Sequence, residues 1–248
     1  MVKIKAVLLA AGYATRLYPL TKDKPKPLLD VGGRPIIDYI IKNIECIDDV
    51  DEIFVITNDK FYGHFEGWLA EFKSTKKIKI INDKTTSNED RLGSLGDVNF
   101  VIEKENIEES ILIVAGDNLF EFSLNSFVES HNEHNKSAVA LYDVQDKELA
   151  KQYGIVGVDD EGKMVEFEEK PSEPKSTLAS TGVYIYPPHV LPMLADFVKK
   201  YKNSDKAGNF LEWLHKKEHV YCYITDKRWF DIGTLDQLEK ARKEFKGV

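Results

Sequence analysis

The chain has 248 residues, 42% hydrophobic and 11% aromatic, enough to bury a substantial α/β core as one large domain or two small ones. Its net charge of −8 argues against non-specific nucleic-acid binding, which needs a broad basic surface, so any anionic ligand must meet a local basic patch. Cys46 and Cys222 are the only cysteines; far apart and without metal-ligand spacing, they exclude a disulfide scaffold or zinc ribbon and fit reduced cytosolic thiols.

The first residues, MVKIKAVLLAAGYATR, hold too short an apolar run for a cleaved signal, and no stretch of about 18 uncharged apolar residues follows. A soluble cytoplasmic protein without membrane partners is expected. A strand at Ile4–Leu9 leads into Ala10, Ala11 and Gly12, then into a stretch carrying Arg16, Lys22, Lys24 and Lys26, with Pro19, Pro25 and Pro27 opposing helix. Small side chains let backbone N–H groups reach anion oxygens, prolines fix the path, and cations add charge-assisted hydrogen bonds. Any one of these residues alone reads as an ordinary loop; the whole stretch reads as a polyphosphate loop.

Pro35 then precedes Ile36, Ile37, Ile40, Ile41 and Ile44, which share one helix face. Strands are predicted at Ile53–Thr57, Ile78–Ile81 and Ile111–Ala115, with Phe61, Phe65, Trp68, Leu69 and Phe72 as a second helical core stripe. This alternation is that of parallel βαβ units. The strand ILIVA runs out into Gly116, Asp117 and Asn118 at the end where open α/β sheets bind ligands, which makes Asp117 the first choice for a Mg²⁺ carboxylate, at about even odds with a plain turn aspartate. His131 and His134 read as an exposed helix end, and Ser137–Val144 as a strand.

Thereafter the pattern changes. IVGVDDEGKMVEFEEK reads as two short antiparallel strands around an Asp-Glu-Gly turn; strands at Thr181–Tyr186 and Val220–Thr225 are separated by helices near Pro188–Lys200 and Asn209–Lys217. Lys199, Lys200 and Lys202 read as a solvated face. Asp231, in WFDIGT, is a second candidate carboxylate, although spacing cannot pair it with Asp117.

In order, LLAAGYATRLYPLT, KPKPLLDVGGRPII, LGSLGD, VAGDN, YGIVGVDDEGKMVEFEEKP, STGVYIY and WFDIGT resemble the motifs of the sugar-1-phosphate nucleotidyltransferases, the family that includes glucose-1-phosphate thymidylyltransferases. The likeness runs over nearly the whole chain. It implies a doubly wound, mostly parallel mixed sheet of Rossmann-like type with a small antiparallel sugar-binding insertion. One domain would span residues 1–248, its nucleotide part about 1–145 and its sugar-phosphate part about 146–230. It also implies a reaction: a nucleoside triphosphate and a sugar 1-phosphate give an NDP-sugar and pyrophosphate, with Mg²⁺ as cofactor. Homo-oligomers are common in that family; no interface is legible in the periodicity.

By the same resemblance, Ala10, Ala11, Gly12, Thr15 and Arg16 belong to the triphosphate loop and Lys26 is the essential phosphate-binding lysine. Leu92, Gly93 and Gly96 lie against the base; Tyr153, Gly154, Glu169, Lys170, Thr181 and Gly182 form the sugar 1-phosphate pocket; Asp117 and Asp231 hold the metal. Arg16, Lys26 and Asp117 are the expected catalytic groups. The chemistry suits them: a phosphate monoester, with a second pKa of about 6, attacks an α-phosphorus without a general base, so the protein need only align two anions and neutralise charge.

Three departures stand out. Ala14 occupies a position where the family usually has glycine, so a left-handed backbone there would be strained. LGSLG is closer to the LGTAG of other branches than to thymidylyltransferases, which leaves the base open. DKAGNFLEWLHKKEHVYCY lacks the acidic sugar-contacting motif of glucose enzymes, which leaves the sugar open. A cytidylyltransferase of phosphocholine therefore stays as an alternative, with Tyr184, Tyr186 and Trp229 as cage aromatics if they are not core, and so does a non-catalytic binding paralogue. His215–His219 spells the inverted zinc-protease pattern with both histidines on one helical face; a solvated helix is the better reading.

Overall fold

A computed structural model describes residues 3–201 and 206–247. Nine strands form one mixed sheet. Its parallel half is β1 (Ile4–Leu9) flanked by β4 (Val50–Thr57), with β5 (Lys77–Asn82) beyond it, and on the other side by β6 (Ser110–Ala115). The chain leaves β1 through a short hairpin, β2 (Asp30–Val31) and β3 (Arg34–Pro35), and crosses by α1 (Ile36–Glu45) to β4. After α2 (Asp59–Glu71) and β5 it returns by α3 (Gly93–Glu105) to β6, on the opposite side of β1. That reversal leaves a crevice beyond the carboxyl ends of β1 and β6, the place where such sheets bind ligands.

β1 shows why the sheet is covered on both faces. Ile4, Ala6 and Leu8 enter one buried cluster, with Ile37, Ile40, Ile41 and Phe65 from α1 and α2; Val7 enters the other, with Val98 and Val101 from α3. A strand apolar on both sides demands helices on both sides, which is the doubly wound plan expected from the sequence.

The second half is antiparallel. After β7 (Asn118–Phe120) and α4 (Leu124–His134), β8 (Ser137–Asp143) and the long β11 (Leu178–Tyr186) pair antiparallel, and β11 also pairs antiparallel with β6. The short α5 (Lys147–Ala150) leads to the hairpin β9 (Gly154–Val158) and β10 (Met164–Glu169), which adds to the free part of β11. Its turn is closed by Asp159 Oδ1 accepting from Glu161 N at 3.0 Å and Lys163 N at 2.9 Å. Then follow α6 (Leu191–Lys200), α7 (Ala207–Leu214), β12 (Val220–Thr225) parallel to β8, β13 (Trp229–Asp231) paired with β7, and α8 (Leu235–Glu244). Among the described residues no helix is long and apolar enough to cross a membrane.

The expected strands all form, most of them one to three residues longer. Several readings need correction. α7 stops at Leu214, not Lys217, so His215 and His219 lie beyond the helix and share no helical face; Glu218 between them accepts from Ser137 Oγ and meets His189 Nε2, both at 2.7 Å. His131 is not exposed: it is buried, its Nδ1 lies 2.6 Å from Lys136 O, and burial lowers its pKa. The proline-rich loop excludes α-helix but makes 3₁₀ turns at Thr15–Leu17 and Lys26–Leu28. Lys199 and Lys200 are at the end of α6 as expected, while Lys202 lies outside the described residues.

Candidate active site

The loop after β1 is fixed from its first residue. Ala10 N donates to Ile56 O at 2.9 Å, and the buried Asn58 donates through Nδ2 to Ala11 O at 2.8 Å while capping α2 through Oδ1 and Phe61 N. Among the described residues nothing accepts from the N–H groups of Ala11, Gly12 or Tyr13, and a Cβ on Gly12 would meet nothing within 4 Å. Free backbone donors over open space make an anion-binding concavity. Ala14 is left-handed, φ 47° and ψ 42°, so the strain foreseen for alanine is present, at a cost of about 1–2 kcal/mol. Its carbonyl holds the turn by accepting from the buried Thr21 Oγ1 at 2.7 Å and from Leu17 N at 3.0 Å.

Across the crevice, Gly116 donates from its N–H to Leu9 O at 2.9 Å, and a Cβ there would sit 2.5 Å from that oxygen. Only glycine lets β6 end this close to β1 and deliver Asp117 into the crevice. The pairing that spacing could not supply comes from β13, which runs antiparallel to β7 with Asp231 opposite Asn118, and Ile232 N donates to Asp117 O at 3.3 Å. Lys26 Nζ lies 2.7 Å from Asp117 Oδ2 and also 2.7 Å from Ile232 O, tying the loop after β1 to both carboxylate segments. Asp231 is pushed up to about 6, first by burial and then by the charge of Asp117, with Lys26, Arg16 and Lys170 opposing. The five charged residues singled out in the sequence thus share one electrostatic neighbourhood.

Two clefts meet at these carboxylates. The first, about 330 Å³, is walled by Ala10, Ala11, Gly12, Lys26, Gly93 and Asp117, and also by Arg91, Ser94, Asp97 and Lys206, which sequence reasoning did not select. Thr15 and Arg16 stand on the exposed 3₁₀ turn, and Leu92 at the N-terminus of α3, all outside that wall. Gly96 packs inside the first turn of α3, where a Cβ would be 2.9 Å from that of Leu92.

The second cleft, about 210 Å³, gathers all six residues predicted for the acceptor, Tyr153, Gly154, Glu169, Lys170, Thr181 and Gly182, together with Asn118, Trp229 and Asp231. Lys170 is left-handed at φ 51° and its N donates to Tyr153 O at 2.9 Å. Gly182, at φ 78°, sits where β11 shifts register, and its Cβ would be 2.9 Å from that of Ala115. Thr181 is fully buried and its hydroxyl donates to Ala140 O at 2.9 Å, so it shapes the strand at the cleft floor. The Tyr153 hydroxyl is pushed up to about 12 by burial and then by Asp231, and its ring packs edge-on against Trp229 at 4.9 Å. Lys206, from the wall of the first cleft, donates to Glu169 Oε1 in the second at 3.0 Å.

Tyr184 and Tyr186 are buried. Trp229 is only half-buried and donates from Nε1 to Asn118 Oδ1 at 3.1 Å, which makes it part of the site rather than of the core. Among the missed residues, Asn58 carried a legible signal, an asparagine between a strand and an amphipathic helix. Asp97 and Lys206 carried none.

Among solved structures, one similar chain is assigned as a glucose-1-phosphate thymidylyltransferase from Bacillus anthracis, in complex with sucrose: 26% identity, TM-score 0.82, covering 97% of this chain and 94% of the other. A UDP-glucose pyrophosphorylase bound to UDP-glucose (20% identity, TM-score 0.83, coverage 99% and 98%) and a UTP-bound UGPase from Acinetobacter baumannii (21%, 0.80, 99% and 93%) share the fold. A curated relative, the bifunctional protein GlmU of Methanocaldococcus jannaschii, is 29% identical over 238 residues, 96% of this chain; the chain spans about half of that relative's length, 53%. The nucleotidyl transferase family model matches residues 5–246. With the crevice, the backbone loop and the paired carboxylates in place, the chain belongs to the nucleotidyl transferase family.

Proposed function

We propose that the protein joins a nucleoside triphosphate to a sugar 1-phosphate, giving an NDP-sugar and pyrophosphate, with the nucleotide in the first cleft and the acceptor in the second. The observation that carries this reading is the junction: Lys26, Asp117 and Asp231 meet where the two clefts do. An acceptor phosphate oxygen forms the new bond to the α-phosphorus as the bond to the β-phosphate bridging oxygen breaks, and that electron pair leaves with pyrophosphate. The loop N–H groups and Arg16 would bind the triphosphate, Lys26 would hold the transferring phosphoryl group, and Lys170 would grip the acceptor phosphate. No residue need act as a base.

Two carboxylates with no third protein carboxylate, histidine or cysteine clustered among the described residues suit Mg²⁺, which takes one or two carboxylates and completes its shell with substrate phosphates and water. The raised carboxyl of Asp231 fits as well: burial raises it first and the charge of Asp117 second, and a divalent cation would offset both by favouring the charged form. Bound there, Mg²⁺ would neutralise charge on the reacting phosphates. In this reading one domain spans the chain in a cytoplasmic protein, with the nucleotide part over about 1–145 and the acceptor part over about 146–230.

One observation favours a second acceptor. Tyr142, Tyr153 and Trp229 line a neighbouring cavity with Asp231, with ring centroids 4.9 Å apart for Tyr153–Trp229 and 6.3 Å for Tyr142–Trp229. Such rings attract a quaternary ammonium, as in phosphocholine. Pyrophosphate release with Mg²⁺, over a grid of nucleoside triphosphates against sugar 1-phosphates and phosphocholine, tests both. Release with a sugar 1-phosphate that is lost in Asp117→Ala supports the first reading, and release with phosphocholine alone the second. Silence from folded protein that still binds nucleotide would point to a binding paralogue.

A further inference from the structure

We propose that Asp97 determines the base: it selects a nucleotide whose base carries an exocyclic amino group over one that presents a carbonyl there. The proposal rests on reading the first cleft as the nucleotide site and deepens that reading.

Asp97 begins the second turn of α3 and stands in the wall of the first cleft, yet it is only 6% exposed. Behind it lies Asp83, 5% exposed, at the end of β5. A buried carboxylate is costly unless paired with positive charge or hydrogen-bond donors, and here two carboxyl groups face each other with no cation bound to either among the described residues. Asp83 Oδ1 accepts from Thr85 N at 2.7 Å and from Thr85 Oγ1 at 2.8 Å. Asp83 Oδ2 and Asp97 Oδ1 are fully buried with no hydrogen-bond donor, and two neighbouring buried carboxyls left this way are relieved when they hold one proton between them rather than two charges.

The two sides of the pair are unequal. Burial raises both carboxyls, but the two Thr85 bonds oppose this at Asp83 and favour its anion, whereas Asp97 has no such donor and is pushed up to about 8, by burial first and then by the charge of Asp83. The proton therefore resides on Asp97, which donates to Asp83. The other oxygen of Asp97 then behaves as a carbonyl, an acceptor without a proton to give, and no described residue supplies it with a donor.

Facing that acceptor, a base edge with an N–H₂ group gains a hydrogen bond. An edge with a carbonyl brings two acceptors together and leaves both unpaired, the situation in which polar sites discriminate most. Cytosine, adenine and guanine are on the favoured side; uracil and thymine are on the other. The pair also lies close to the loop after β1, since Thr85 is a neighbour of the buried Tyr13 hydroxyl.

The test is isothermal titration of the whole protein with matched triphosphates: CTP against UTP, and ATP and GTP against ITP, which lacks the amino groups of both. In the wild type at least one amino-bearing nucleotide should bind about tenfold or more tighter than its matched partner. Asp97→Ala should bring that ratio close to one. Asp97→Asn should keep it, because the amide N–H₂ takes over donation to Asp83 and leaves the amide oxygen toward the cleft. Equal binding within both matched sets by the wild type overturns the proposal while leaving the nucleotide cleft standing, and it needs no variant to fold. Binding of none of these triphosphates by folded protein overturns the proposal and the nucleotide reading together.

Discussion

The two clefts that flank Asp117 and Asp231 are built by opposite means. On the side of the loop after β1 the first is a backbone site, with small residues, N–H groups without an acceptor among the described residues, and a glycine that lets β6 close on β1, while Lys26, Asp97 and Lys206 add side chains from its other walls. The second is a side-chain site, assembled from β7, the β9–β10 hairpin, the register shift of β11 and the end of β13. Backbone N–H groups suit what anions have in common, whereas side chains can be redrawn residue by residue, so in the proposed reading the loop would hold the triphosphate while Asp97 and the second cleft would set base and acceptor.

Substitution at the junction should have the largest effect. Lys26→Ala and Asp117→Ala should each lower turnover by about 10²–10³, the scale of losing a preorganised charge partner, with little change in melting temperature. Turnover within tenfold of wild type in either variant would place the chemistry elsewhere. Asp231 separates function from stability. Its carboxyl is held above the unfolded value, so the folded state binds the proton more tightly. The penalty is absent below about pH 4, grows as pH rises to about 6, and is constant above. Asp231→Asn should therefore abolish activity yet stabilise the protein by about 1–3 kcal/mol at pH 7, with the gain gone at pH 4; denaturant titration at the two pH values checks it.

The next pair of variants contrasts the clefts directly. Gly182→Ala places a Cβ at φ 78° and 2.9 Å from that of Ala115, and should cost about 1–3 kcal/mol while weakening acceptor use more than nucleotide binding. Ala14→Gly relieves a left-handed alanine but loosens the unfolded chain, so it should change stability by about 1 kcal/mol or less, with a gain expected; a clear loss would mean the turn is unstrained.

The same contrast explains what could be read from the sequence. The loop after β1 was legible as a unit because Ala10, Ala11, Gly12 and Lys26 lie within one short stretch after a strand, and the structure puts them in one wall. The strands were legible because each is an uninterrupted apolar run. The pairing of Asp117 with Asp231 was not, since it depends on the two-residue-scale register of β7 against β13, which no local pattern encodes. α3 was passed over: Gly93 and Gly96 are poor helix formers, and its buried Asp97 breaks the apolar face that would have announced a helix. His131 was misjudged because its neighbours Asn132, Glu133 and His134 are polar, although its own position on the turn faces the core.

The most direct test of the central claim, transfer between two clefts that meet at one pair of carboxylates, is the stereochemical course of the reaction. A single diastereomer of a nucleoside 5′-(1-thiotriphosphate), paired with the best acceptor from the grid, should give a product inverted at the α-phosphorus, because the acceptor phosphate enters opposite the leaving pyrophosphate. Retention would require an enzyme-bound nucleotidyl intermediate and would contradict the account.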